Sequence, residues 1–242
     1  DRPFATEAAA LRAGYNGTTA EELVTYYLSG PSDAALDAVR LLAGLVREPH
    51  FEDRDLRTER FVVLGELQRG RSDPQDQLRT AVGRALWGEG WLRKNTIGEV
   101  RPLMGVTPAQ LRDIYGRYYV PNNAALVVTG DVDPDRVVEA ARRHFGAWRR
   151  RPDPFAAAPV PAQPALTQSQ AVVVAGPVET ITVTVQWQGP SVGRGAGADV
   201  DGTLAADVLS AVVNDERSAM TRRLVDAANF QSVGFGYQTL AH

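Results

Sequence analysis

The sequence predicts an α+β fold in which an antiparallel or mixed sheet carries helices packed on one side. Three observations support this class. Amphipathic segments with recognisable caps occupy much of the 242-residue chain, and shorter apolar or alternating runs indicate strands. Strands and helices do not alternate in the strict order of a parallel α/β fold. The content of 44% hydrophobic and 23% charged residues is that of an ordinary globular protein.

Helical patterns dominate the first part of the chain. Residues 32–46 carry an apolar stripe behind a capping residue at Ser32 or Asp33. A second helix is expected over residues 53–69, and a third begins near residue 73, with a proline in its first turn.

Further helices follow later in the chain. Thr107 is expected as the N-cap of a helix that has Pro108 at its first position. Asp133 is expected to cap the next helix. Two more helical patterns occupy residues 202–213 and 218–228.

Three segments have the composition of strands. Residues 124–132 form an apolar run that ends in Gly-Asp, typical of a buried strand, and residues 171–176 and 179–189 alternate. The proline- and alanine-rich segment 149–170 between them is typical of an extended linker. These boundaries predict the main part of a module over 1–148, the linker, and the remaining strands and helices of the same module over 171–242, incomplete at the C-terminus.

Composition excludes several classes of protein. The chain has no cysteine, which excludes disulfides and thiolate metal sites. With a net charge of -3 and no basic face, it has no sign of a nucleic-acid partner. No apolar run is long enough for a membrane span. Both cytoplasmic and periplasmic or secreted locations stay open. Because the chain begins at Asp1 without a signal-peptide pattern, we expect a processed or incomplete form.

The remaining local motifs are weak. The histidines His50, His144 and His242 are too far apart in sequence to form a two-histidine zinc site on one helix. Residues 16–18 match a glycosylation sequon but are better explained as a turn. The acidic run 131–135 lacks the other ligands of a calcium loop.

Two glutamates are the most informative residues. Glu59 and Glu66 are seven positions apart, so both point to the same side of the expected helix, with Val62 and Val63 between them. Placing a carboxylate without a partner on an apolar stripe costs roughly several kcal/mol if the group is buried. This arrangement therefore calls for a ligand or a partner.

The ordinary explanation is that arginines neutralise both carboxylates on a partly solvated face. Arg12, Arg60 and Arg69 are available for this pairing. The sequence alone does not decide whether arginines or a bound ligand neutralise Glu59 and Glu66.

The order of several segments resembles the insulinase/pitrilysin family of zinc metallopeptidases, which includes mitochondrial processing peptidase. The family pattern of a glycine-rich turn, Asn-Ala-x-Thr and Tyr-Tyr stands here as AGYNGTTAEELVTYY. Its Glu-Arg-x-Val-Val-x-x-Glu stands as ERFVVLGE. Later in the family, tyrosine, proline and asparagine precede an apolar run that ends in Gly-Asp. This pattern stands here as YYVPNNAALVVTGD. The match covers most of residues 1–150 and, more faintly, the rest.

The resemblance implies roles for particular residues. Glu66 would be the third zinc ligand, and Glu59 would support the site without binding the metal. Asn16 and Gly17 would lie at a sheet edge close to Glu66 and nearest the scissile bond. The other two ligands and the general base belong to a His-x-x-Glu-His motif. This motif is absent here, and the family spacing would put it before Asp1.

The function implied is zinc-dependent endopeptidase activity on unfolded peptides. In the family, two half-modules close like a clamp, so a second half is expected in the same chain or on a partner subunit. The chain alone is expected to bind Zn²⁺ weakly or not at all and to be inactive, because it contains one zinc ligand. The alternative is a non-catalytic subunit that completes or scaffolds the peptidase chamber of a partner.

Overall fold

The computed structural model describes residues 3–156, 158–192, 198–228 and 230–240. Helices and one two-stranded antiparallel sheet make up its regular structure, which confirms the α+β class. His242 lies outside the described residues.

The regular elements follow one another in a simple order. Helix α1 precedes the hairpin strands β1 and β2, and the remaining helices follow the hairpin. Their bounds are α1 Phe4–Ala10, β1 Gly14–Thr19, β2 Val24–Ser29, α2 Ala35–Arg47, α3 Asp53–Ser72, α4 Pro74–Trp87, α5 Trp91–Lys94, α6 Val100–Gly105, α7 Pro108–Tyr118, α8 Pro134–Phe145, α9 Val200–Asn214 and α10 Ala219–Thr221.

The chain divides into two compact units. The first contains Asp1–Thr80 and Leu92–Pro159, and the second contains Ala81–Trp91 and Val160–His242. In the first unit, α2 packs against α1, β2 and α8. Apolar side chains on these elements and in the segment after α7 form its core, namely Ala8, Val39, Leu41, Ala43, Val120 and Ala140.

In the second unit, α9 begins behind a side-chain cap. The Asp199 carboxylate accepts a hydrogen bond from the Gly202 N–H at 2.8 Å. Thr203, in the first turn, is buried, and its hydroxyl donates to the Asp199 carbonyl. The residues after α10 continue as a short π-helical turn, Arg222–Asp226.

The predicted caps of α7 and α8 are confirmed. The Thr107 hydroxyl accepts from the Gln110 N–H, while the Gln110 side chain accepts from the Thr107 N–H, forming a capping box. The Asp133 carboxylate accepts from the N–H groups of Asp135 and Arg136 at the start of α8. In both helices proline occupies an early position, where its missing N–H costs no hydrogen bond.

The three strands predicted at 124–132, 171–176 and 179–189 do not form, so these predictions are wrong for the described structure. A strand requires a hydrogen-bonded neighbour, and among the described residues the only ladder joins β1 and β2, apart from one isolated bridge between Ser191 and Ala198. The three predicted segments have the apolar pattern of strands but no neighbouring strand to pair with. Val127 is accordingly 79% exposed, so segment 124–132 is not buried as expected, and Ile181 in segment 179–189 is 91% exposed.

In the described parts of the chain, no helix combines the length and apolar character that a membrane crossing requires.

Candidate functional site

Helix α3 carries the two glutamates and is stabilised at both ends by its charges. Asp53 and Asp55 lie in the first turn, and Arg69 and Arg71 lie in the last turn. Acidic residues at the N-terminus and basic residues at the C-terminus oppose the partial charges of the helix ends. The helix packs against α6, and the Arg60 guanidinium donates a hydrogen bond to the carbonyl of Val106, the residue after α6.

Glu59 and Glu66 share one side of α3, as the sequence predicts. Seven helical residues correspond to nearly two turns and about 10 Å along the axis. Both side chains are exposed, and Val62 between them is 50% exposed. Leu67, at the next position, is 7% exposed and holds a different side of the helix in the interior. The carboxylates are therefore open to solvent in this chain, and a cavity in front of them stays a prediction.

Arginines do not neutralise this pair of glutamates. Arg12 instead forms an ion pair with Asp33 at 3.0 Å, and Arg60 donates to a backbone carbonyl. Within the described residues neither Glu59 nor Glu66 has a hydrogen bond or an ion pair. The explanation by arginine pairing is therefore wrong for the described structure, and both carboxylates are free to accept another ligand.

Asn16 and Gly17 lie in the middle of β1. In the antiparallel register Asn16 is opposite Tyr27, and Gly17 is opposite Tyr26. The Asn16 side-chain oxygen accepts from the Gly17 N–H at 2.8 Å. Since β2 is the only neighbour of β1 in the described structure, the other edge of β1 is open to an added strand. The predicted proximity of Asn16 to Glu66 stays a prediction.

Gly17 has a steric role that the sequence analysis did not identify. A Cβ atom at this position would lie 3.3 Å from the ring of Tyr26. The Tyr26 hydroxyl in turn makes a 2.8 Å hydrogen bond with the Tyr119 hydroxyl, just after α7. Glycine thus lets the ring lie across the strand and link β2 to the end of α7. The Tyr-Tyr sequence at residues 26–27 drew attention to Tyr26, but it did not indicate that Tyr119 is its partner.

Burial raises the pKa of Tyr119 above its usual value, and the hydrogen bond between its hydroxyl and that of Tyr26 raises this pKa further. Because the pKa is higher in the folded state than in the unfolded state, the resulting stabilisation is complete below the unfolded pKa of about 10. It is lost as the pH rises toward the folded value.

We expect Tyr119→Phe to remove part of this alkaline loss of stability. The free energy of unfolding, measured by urea titration at neutral pH and again above pH 10, should fall less steeply for Tyr119→Phe than for the wild type. Tyr27→Phe, on the exposed part of β2, is the control and should follow the wild type. Equal slopes for all three proteins would contradict the coupling between Tyr119 ionisation and folding.

Glu66 is the one predicted zinc ligand that lies among the described residues. A catalytic zinc ion needs three protein ligands and a water. Glu66 suits one of these positions because its carboxylate is exposed and has no partner among the described residues. Among those residues, however, no three acidic or histidine side chains lie together in a way that could hold a metal ion. His50 and His144 therefore do not complete a metal site with Glu66.

Two family models match this chain over nearly all of its length. Residues 1–99 match the model described as insulinase, peptidase family M16. Residues 105–240 match the model described as the peptidase M16 inactive domain. The second match alone extends over more than half of the chain.

Curated relatives agree with these matches. An uncharacterized zinc protease of Mycobacterium leprae is 35% identical over 133 residues, covering 54% of this chain and 30% of the relative. An uncharacterized zinc protease of Mycobacterium tuberculosis is 33% identical over 132 residues, with the same coverage. The chain thus spans about 30% of the length of these relatives.

Solved structures share the fold. A protease from Helicobacter pylori aligns with a TM-score of 0.66 at 18% identity, covering 93% of this chain and 54% of that one. A putative M16-like peptidase from Alicyclobacillus acidocaldarius aligns with a TM-score of 0.58 at 22% identity, covering 62% of this chain and 36% of that one. With its two successive domain matches, the chain belongs to the insulinase family, peptidase family M16.

Proposed function

We propose that the full-length protein is a zinc-dependent endopeptidase that hydrolyses unfolded peptides, and that Glu66 is one of its zinc ligands. The observation that carries this proposal is the pair of exposed carboxylates, in register on α3 and without a partner among the described residues. A carboxylate at the surface of a rigid helix can bind a cation without first breaking an ion pair.

Glu59 is a positioning residue in this proposal. It is about 10 Å from Glu66 along the helix axis, so it does not bind the same ion directly. Its negative charge favours a cation near this face, and its oxygens can accept hydrogen bonds from residues that ligate the metal. The other two ligands and the general base are expected in a His-x-x-Glu-His motif, which this sequence does not contain.

The open edge of β1 is the proposed binding site for the peptide substrate. An extended peptide that pairs with β1 makes backbone hydrogen bonds whatever its sequence, which suits a peptidase of unfolded chains. Asn16 and Gly17 would lie nearest the bond that is cut. Gly17 would pair through its backbone, because the Tyr26 ring lies against its Cα, and the Asn16 side chain can hydrogen-bond to the peptide.

Zinc, when bound, supplies a water of lowered pKa and polarises the peptide carbonyl. Glu66 would hold the ion, and Glu59 would help to keep the ligands oriented. The β1 edge would align the substrate. We propose a second half-module, in the same chain or on a partner subunit, that closes over this face of the molecule.

The second candidate is a non-catalytic subunit that completes or scaffolds the chamber of a partner peptidase. The match of residues 105–240 to a domain described as inactive favours this candidate. It needs no zinc, and its free carboxylates would face the partner.

Metal content and peptide cleavage by the full-length protein separate the two candidates. An endopeptidase should contain about one zinc per active site and cut an unfolded peptide, and a chelator should abolish cleavage. The sequence of the full-length protein should contain His-x-x-Glu-His. A full-length protein that binds no zinc and cuts no peptide would overturn the proposed activity in favour of the subunit role.

A further inference from the structure

A cluster of arginines lies where α8 ends. Residues 142–151 contain five arginines and no acidic residue, although the whole chain has a net charge of -3. Arg142, Arg149 and Arg150 are exposed, and within the described residues none of these three has a hydrogen bond or an ion pair from its side chain. We name these three residues the arginine patch.

The backbone turns directly after α8. The Gly146 N–H donates to the Arg142 carbonyl, and the Trp148 N–H donates to the Phe145 carbonyl at 2.8 Å. The Phe145 and Trp148 rings have centroids 6.2 Å apart. These contacts hold the residues after the helix close to its last turn.

Arg151 fixes the far side of the patch. Its N–H donates to the Asn122 side-chain oxygen at 3.1 Å, and its guanidinium donates to the Gly116 carbonyl of α7. Arg149 and Arg150 therefore lie between an anchored Trp148 and an anchored Arg151, rather than in a free linker.

Helix stabilisation explains only part of this cluster. Cations near a helix C-terminus interact favourably with its partial negative charge, but Arg47 already donates to the His144 carbonyl at this end of α8. Arg143 is paired with Glu139 at 2.8 Å. Arg149 and Arg150 lie beyond the helix, so neither the helix end nor an acidic partner among the described residues accounts for their positive charge.

We propose that the arginine patch is a docking site for a short acidic segment of a polypeptide. Guanidinium groups bind carboxylates with charge-assisted and often bidentate hydrogen bonds. The patch has three arginines, and the other end of α8, about 13 Å from Arg142 along the axis, begins with Asp133 and Asp135. A polyanion long enough to extend along α8 would meet these like charges, whereas a short acidic segment can pair with the three arginines alone. This inference does not depend on the proposed peptidase activity.

Binding of a labelled oligo-D-glutamate peptide to the full-length protein tests the proposal. The D-residues resist peptidases, and electrostatic contacts on an open surface depend little on backbone chirality. Fluorescence anisotropy should show binding that weakens as salt rises toward 1 M, where the Debye length falls to about 3 Å. An oligo-D-glutamine peptide should not bind.

The triple variant R142Q/R149Q/R150Q should weaken binding by about tenfold, since each exposed ion pair contributes only modestly. The matched control R54Q/R57Q/R101Q removes three other exposed arginines and should bind like the wild type. Equal affinity of the patch variant and the wild type would overturn the proposal. So would binding only to single-stranded DNA or to vesicles with anionic lipid, tested in parallel, while the peptide does not bind.

Discussion

Glu66→Gln in the full-length protein is expected to abolish peptide cleavage and to lower zinc affinity by more than roughly 100-fold. Changes to groups that only support the metal ligands cost about 10- to 100-fold, and the loss of a direct ligand should cost more. A neutral amide is a poor substitute for a charged carboxylate ligand of Zn²⁺. The helix itself should not suffer, because glutamine is as good a helix former as glutamate and Glu66 is exposed. Zinc content after dialysis and the rate of peptide cleavage measure the effect.

Glu59→Gln should have a smaller effect, a loss of about 10- to 100-fold in zinc affinity or activity, as changes to groups that support metal ligands do. Glu52→Gln is the matched control. Glu52 is the N-cap of α3, makes no side-chain cap hydrogen bond and lies about 10 Å from Glu59 along the axis. It should keep both zinc and activity.

The order of these three effects distinguishes ligation from general electrostatics. If Glu66→Gln retains its zinc and its activity, Glu66 is not a ligand. If all three variants lose zinc by a similar factor, the charge of the whole face attracts the metal and no single carboxylate ligates it. If the wild type itself contains no zinc, the non-catalytic subunit role replaces the peptidase.

Helices were predictable from the sequence because their signals are local. Thr107 followed by Pro108 and Gln110 carries a complete capping box, and Asp133 followed by Pro134 marks the next start. The start of α2 was less well predicted. Residues 32–34 form a 3₁₀ turn, and the α-helix begins at Ala35, so neither Ser32 nor Asp33 caps it.

Strands were not predictable with the same success because pairing is not local. Residues 14–19 are strongly polar and pair with β2, whereas the apolar segments 124–132 and 179–189 form no ladder in the described structure. Alternation and β-branched side chains indicate that a segment fits a sheet. They do not say whether a neighbouring strand is present.

The site was predicted in part. The seven-residue spacing correctly gave one helix and one common side for Glu59 and Glu66. It could not give their state of exposure, which depends on what packs against α3. The partners of Arg12 and Arg60 lie 21 and 46 positions away, so only the folded chain could exclude the arginine pairing.

Leu67→Ala is expected to lower the free energy of unfolding by about 2–5 kcal/mol, as other removals of a buried leucine side chain do. Leu67 is 7% exposed and is the most buried residue of α3. The loss combines the transfer of the removed methyl groups to water with the cavity that remains. Phe61→Ala on the same helix removes a larger side chain, but Phe61 is 71% exposed, so its cost should stay within about 0.5 kcal/mol.

The pair of variants also tests how Glu66 is positioned. Leu67 holds α3 in the interior next to the glutamate, so its removal should loosen the helix and weaken zinc binding less than Glu66→Gln does. Urea unfolding followed by circular dichroism gives the stability, and metal analysis of the full-length protein gives the zinc content. A larger loss of stability for Phe61→Ala than for Leu67→Ala would mean that α3 presents a different side to the interior. Phe61 lies about 140–160° around the helix from both glutamates, so Glu59 and Glu66 would stay on the exposed side, but Leu67 would not be the residue that positions them.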